Sequence, residues 1–285
     1  MINKPKNCGC TFCNSIEYNK TMKKNLDGKF RLRQEARLRT RVKRVFDRQK
    51  RWIIKNMKRL SFFKDSGKNF VYNENGIKKE TNDFLNKMPG KKEMTEDLID
   101  SAEASLLKGG KSAVKVLGLK EFGISFSLAN KDAIRYIRLL ETLQLSNYKG
   151  NIDGVTKGRI KKIIENAAES GASYSETSKL IQQQGLAGVF SKARGELIAV
   201  TEIGRAYGKG NHIPVIDFNT EFGDTHKAEK KWQTANDVNV RDTHAANEDD
   251  GWIDLEKLHT GTGEEFAPSF DFRCRCVEIY RITPR

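Results

Sequence analysis

Between Asn239 and Trp252 the chain reads NVRDTHAANEDDGW, which places Arg241, Asp242 and His244 within four positions. An imidazole, a carboxylate and a guanidinium this close together are the parts of a general base, its orienting acid and a phosphate clamp, the equipment of a nuclease with His244 catalytic. The spacing argues against it, because positions i and i+2 share a face only on an extended strand and diverge on a helix. No glycine-rich phosphate loop, nucleophile elbow or paired acidic metal site completes such a centre. Sulfur offers a second chemistry. Cys274 and Cys276 form a Cys-x-Cys pair, and with His244 and His259 they supply thiolate and imidazole ligands of the kind that hold tetrahedral zinc. An ion there would close a 33-residue loop from His244 to Cys276 and stabilise a loop-rich region. The competing reading is that His244 hydrogen-bonds in a polar core while the cysteines pack as small apolar side chains. At the other end, Cys8, Cys10 and Cys13 fit either metal ligands awaiting a fourth partner or a terminal tail.

The elements that must position these groups follow from composition and periodicity. With 285 residues, 37% apolar and 31% charged, the chain is expected to be elongated and modular rather than built on one large core. An odd count of five cysteines suits reduced thiols or metal ligands better than a secreted disulfide framework. No stretch approaches the roughly 18 apolar residues of a membrane span, and MINKPKNCGCTFCN has no apolar secretion core, so a soluble intracellular product without a membrane partner is expected.

Charge is the most uneven property. Residues 20 to 68 carry nineteen Lys and Arg against four acidic residues, an excess equal to the +15 of the whole chain. A polyanion-facing role therefore belongs to this arm. Within it, Leu38, Val42, Val45, Phe46, Ile53, Met57 and Leu60 recur at steps of three, four and seven, with Gln49 in the missing turn, which predicts one long amphipathic helix reaching roughly 45 Å. The stripe either docks on the protein's own core beneath a solvated basic face or docks on a partner. In the second case Arg37, Arg41, Arg44, Arg48, Arg51 and Lys55 would meet phosphates or an acidic surface. Trp52 and Phe46 would also suit a membrane-surface helix, but the rest of the chain has no membrane logic.

Residues 64 to 92 read as a connector. Helical patterning resumes near Thr95 and is expected to stop at Gly109 and Gly110; Asn130 then caps a second helix with Ala133, Ile134, Ile137, Leu140 and Leu143 inward. From Gly154 a helix ends at Gly171, Ser173 and Glu176 form a capping box for a short helix to Gln184, and a third helix covers residues 190 to 210. Such a triplet fits a packing scaffold or, as another alternative, a sequence-specific helix-turn-helix. From Ile213 onward, HIPVIDF, KKWQTA, GWIDL and CVEIYRI predict short strands. The expected class is thus α+β, mainly α. Its parts are a basic arm and long helix (1–66), a connector and helical region (67–153), a three-helix segment (154–212) and a small α+β C-terminal module with hairpins (213–285).

Three segments in order, KARGELIAVTEIGRAYGKGN, KKWQTANDVNVRDTHAANEDDGW and FRCRC, resemble the signature of the phage Mu F-like head morphogenesis proteins, the minor head or minor capsid proteins of tailed phages. The matching positions are Arg194, Thr201 and Glu202; Lys230 or Lys231 with Trp232; Asp237, Arg241, Asp242 and His244; Gly251; and Cys274, Arg275 and Cys276. The resemblance spans residues 155 to 285. Arg273 stands where the family usually has Asn, and the stretch from His244 to Gly251 is longer and more acidic than the pattern. The resemblance implies a non-enzymatic virion component of the capsid interior near the portal, present in the host cytoplasm during assembly. Its implied partners are the portal protein, the major capsid or scaffolding protein, and DNA. It also implies that Arg241, Asp242 and His244 hold a compact module together, with zinc as an optional staple.

Overall fold

Thirty residues from Gly28 to Met57 form the long basic helix, α1, with Lys55 in its last turn where a cation complements the helix dipole. The computed structural model describes residues 27–64, 73–145, 151–184, 188–268 and 271–285, so the N-terminal cysteines Cys8, Cys10 and Cys13 lie outside the described residues. A one-turn helix α2 (Ser61–Lys64) follows, then α3 (Glu74–Asn86), α4 (Lys91–Val116), α5 (Lys131–Leu145), α6 (Ile152–Glu169), α7 (Tyr174–Gln184) and α8 (Lys192–Phe222). The C-terminal end adds β1 (His226–Gln233), α9 (Asp242–Asp249), β2 (Ile253–Asp254) and β3 (Val277–Pro284). The class is α+β, mainly α. No described helix is long and apolar enough to cross a membrane.

The chain divides into two compact units that are discontinuous in sequence: residues 1–37, 100–137 and 197–285, and residues 38–99 and 138–196. In the second unit the α1 stripe is buried within the chain itself. Leu38, Val42, Val45, Phe46, Ile53 and Met57 are fully inaccessible. Gln49 takes its place in that stripe with its amide nitrogen donating to the Pro89 carbonyl at 3.1 Å. Phe46 meets Phe190 edge to face at 5.8 Å, and Trp52 stacks on Phe84 at 4.9 Å. The segment expected to be a connector contains α3, capped by Asn73, whose Oδ1 accepts from the Gly76 amide at 3.1 Å. The capping box of α7 is formed: the Ser173 amide donates to Glu176 Oε2 at 2.8 Å and the Glu176 amide to Ser173 Oγ at 3.3 Å.

In the first unit, α4 and α8 approach each other so closely that glycine is required. A Cβ on Gly109 would stand 2.2 Å from the Tyr207 carbonyl oxygen, and one on Gly210 2.1 Å from that of Leu106. Gly109 and Gly110 therefore do not stop α4, which runs on to Val116. The missing side chain of Gly109 admits the α8 backbone, and that of Gly110 admits the Phe126 ring, 2.1 Å from where a Cβ would stand. Helix α8 likewise continues through His212–Phe218, where a strand was expected. Pro214 lies inside it, and the lost backbone hydrogen bond is offset by burial of Ile213, Val215 and Phe218. Leu106, Val114, Leu119 and Phe126 complete that core. On α5 Asn130 does cap, accepting from the amides of Asp132 and Ala133, but Ile134 and Leu143 are exposed rather than inward.

The sheet is small and its order is β2-β1-β3, both pairings antiparallel, with β1 central. Residues pair from His226 with Pro284 to Gln233 with Val277. Tight hairpins do not join these strands; β1 reaches β2 through α9, and β2 reaches β3 through a long loop. Ala228 and Trp232, four residues apart on β1, share one face; Ala228 joins a cluster with Val215 and Leu255, and Trp232 one with Ala267, Cys274 and Cys276.

Two glycine substitutions should have opposite signs. Gly109→Ala should destabilise the protein by about 1–3 kcal/mol through backbone overlap. Gly158→Ala, in a helix position where an added Cβ meets nothing within 4 Å, should stabilise it by about 0.5–1 kcal/mol. Denaturant melts of the two variants check both.

Candidate functional site

Trp232 is the wall against which the C-terminal side chains converge. It is fully buried on β1, and its ring meets those of His244 and His259 in edge-type contacts at centroid distances of 5.5 and 5.0 Å. Helix α9 delivers His244. Arg241 is its N-cap in extended conformation, Asp242 adds an acid to the first turn, and Gly251, at φ +66°, terminates it in the left-handed region. His244 is 2% exposed. Its Nδ1 lies 3.7 Å from Cys274 Sγ and 3.5 Å from Cys276 Sγ, and its Nε2 lies 3.1 Å from Asp271 Oδ2. The three ligand-type atoms of His244, Cys274 and Cys276 all lie within 4.8 Å of one another.

Electrostatics in this cluster is shared. Hydrogen bonding from Cys276 and the neighbouring His244 hold the Cys274 thiol well below the usual thiol range, while the same contact with Cys274, together with burial, pushes Cys276 up. For His244, burial pulls downward, but Cys274 and the Asp271 carboxylate outweigh it and raise the imidazole.

The loop bearing the cysteines is held from several sides. Asp237 and Arg275 form a bidentate ion pair, and Asp237 also accepts from the Asn239 amide at 2.9 Å. Arg241 Nη2 donates to the Phe272 carbonyl at 2.7 Å. The Arg273 amide donates to Thr201 Oγ1 at 3.1 Å, so the Thr of α8 pins the loop. Arg273 itself adopts φ +61°. That left-handed conformation suits Asn far better than Arg.

The remaining predicted positions lie apart. Arg194 belongs to the other unit, where its guanidinium donates to Thr156 Oγ1, Val189 O and Ile152 O and lies over the Phe46 ring at 4.9 Å; burial lowers it to about 10. Glu202 is raised by burial and lies near Arg205 on α8. Asp242 is exposed. The carboxylate that meets His244 is Asp271, and the nuclease reading, which needs an accessible base beside Asp242, finds no support. His259 is not with the thiols: its Nε2 lies 3.1 Å from Glu278 Oε1, in a fully buried pair. Of the basic positions on α1, Arg41 pairs with Asp97 at 3.2 Å and Arg48 with Glu93, whereas Arg37, Arg44, Arg51 and Lys55 are exposed.

The acidic run after His244 proves to be internal wiring. Glu248 accepts from Thr234 Oγ1 at 2.5 Å, Asp250 from the Thr260 amide at 2.9 Å, and Asn247 Oδ1 from the amides of Gly261 and Thr262 at 2.8 and 3.0 Å. These partners, with Asp271 and Glu278, carry no distinguishing pattern in the sequence. Only the placement of Asp271 three residues before Cys274 hints at its role.

The site is thus a helix-borne His facing a Cys-x-Cys loop behind a buried Trp, with the loop pinned by a Thr from the preceding long helix. Residues 158–279 match the family model described as Phage Mu protein F like protein. Comparisons with curated proteins and with solved structures gave no match.

The Asp237–Arg275 pair tests how this loop is held. Both side chains are nearly buried, so Asp237→Ala, which strands the guanidinium, should cost about 3–5 kcal/mol. The double variant Asp237→Ala/Arg275→Ala should cost clearly less than the sum of the singles. A thermodynamic cycle from urea melts checks the coupling.

Proposed function

We propose that this protein is a non-enzymatic minor head component of a tailed phage, associating with the portal protein and the capsid interior during head morphogenesis and contacting DNA through α1. The family match over residues 158–279 is the observation that carries this reading. The distribution of charge supports its finer part. Because the apolar stripe of α1 is occupied within the chain, its remaining outward resource is cationic, and Arg37, Arg44 and Arg51 recur every seven residues with Lys55 close by. A seven-residue step keeps them near one line along the helix, the arrangement that tracks a phosphate backbone or an acidic protein surface. Arg41 and Arg48 act differently, since their carboxylate partners on α4 spend their charge on the fold.

The reading places the protein in the virion, with assembly in the host cytoplasm and major capsid or scaffolding protein as further neighbours. Quantitative mass spectrometry of purified particles and of DNA-free procapsids tests it. A few copies per particle in both is the expected result; absence from both would remove the reading. For the DNA contact, Arg44→Glu/Arg51→Glu should weaken duplex binding and flatten the dependence of log affinity on log salt by roughly two, about 0.9 for each phosphate that is no longer neutralised. An unchanged slope would remove DNA from the set of partners.

A further inference from the structure

We propose that His244 Nδ1, Cys274 Sγ and Cys276 Sγ ligate one zinc ion that staples α9 to the approach of β3, with Asp271 orienting the histidine from behind. The separations argue for it. Tetrahedral zinc with Zn–S of about 2.3 Å and Zn–N of about 2.0–2.1 Å requires an N···S edge of roughly 3.6 Å. The two observed edges are 3.5 and 3.7 Å. Such lengths also fall in the range of hydrogen bonds to sulfur, but two of them converging on one Nδ1 match the edges of a coordination tetrahedron.

The surroundings have the further features a zinc–thiolate site needs. A ligating imidazole is normally fixed by a carboxylate on its other nitrogen, and Nε2 has Asp271 Oδ2 at 3.1 Å. This leaves Nδ1 as the ligand atom, facing both sulfurs. The indole nitrogen of Trp232 is buried without a hydrogen-bond partner, and Trp232 packs in one cluster with both cysteines. An N–H donor in that place suits a ligated thiolate. Charge closes the argument. Two thiolates and one divalent cation sum to zero, so the ion can be enclosed among groups that are only 2–3% exposed without leaving net charge buried. Paired thiolates also select a borderline-soft ion over calcium or magnesium.

His259 has no part in the site, because its ring is engaged by Glu278. Among the described residues no further His, Cys, Asp or Glu joins the three. With all three ligands buried the ion serves the fold.

The test uses the full chain with Cys8, Cys10 and Cys13 replaced by Ser, purified with zinc present and analysed for bound metal. One zinc per chain is expected. Cobalt(II) exchanged into it should give a thiolate-to-cobalt charge-transfer band of an intensity fitting two sulfurs. His244→Cys should keep one metal and strengthen that band by about half, and Cys276→Ser should weaken it. Asp271→Asn, at a half-exposed position that does not threaten folding, should lower zinc affinity by roughly 10–100-fold. The proposal is overturned if the folded chain retains no zinc and shows no cobalt–thiolate band. It is equally overturned if Cys274 and Cys276 are found joined as a disulfide, or if metal content and affinity are the same in the His244, Cys276 and Asp271 variants.

Discussion

The C-terminal module depends on one convergence: the ring of His244 set between two sulfurs and a carboxylate. Three strands, one of them two residues long, and an eight-residue helix bury few large apolar side chains beyond Trp232 and Leu255. Area alone does not order such a segment. What orders it is polar and directional. His244 ties α9 to the cysteine loop, Thr201 ties that loop to α8, and Asp237 with Arg275 ties it to the turn after β1. Each link spans at least 27 residues of sequence, so each closes a long loop that apolar packing would leave loosely specified.

The rest of the first unit supplies a rigid base for that convergence. Helix α8 carries Thr201 and then continues to Phe222, packed so tightly on α4 that glycine backbones replace side chains at the contact. A helix fixed at this distance cannot drift without moving Thr201, and Thr201 sets the backbone of Arg273. The acidic segment after His244 extends the same network outward, since Asn247, Glu248 and Asp250 are acceptors for two neighbouring loops. In the second unit the logic is different and more familiar. A long amphipathic helix buries its apolar stripe, and its basic face is divided between ion pairs with α4 and exposed cations.

What was legible in the sequence tracks how local the determining physics is. The α1 stripe, the Ser173–Glu176 capping box and the Asn130 cap were readable because each is set by contacts within a few residues along the chain. Gly109 and Gly110 were misleading for the opposite reason: a helix-stop signal by propensity became a contact surface, with α8 against Gly109 and the Phe126 ring against Gly110. His212–Phe218 looked extended because Ile213, Pro214, Val215 and Ile216 favour strand or turn, and the burial of Ile213, Val215 and Phe218 overrode that preference. In the site, the residue types were visible but the pairings were not. Asp242 was the obvious partner of His244 by number, yet a helix turns it away and brings Asp271 from 27 positions on. His259 shared the chemistry of the thiol cluster but found Glu278 instead.

Peptide-resolved amide hydrogen exchange on the wild-type chain and His244→Ala tests the central claim most directly. If the convergence at His244 holds the module together, α9 and the loop 271–276 should lose protection together in the variant while the α4 and α8 contact keeps its own. Unchanged protection of α9 and the cysteine loop in His244→Ala would contradict the account and return the module's stability to packing around Trp232 alone.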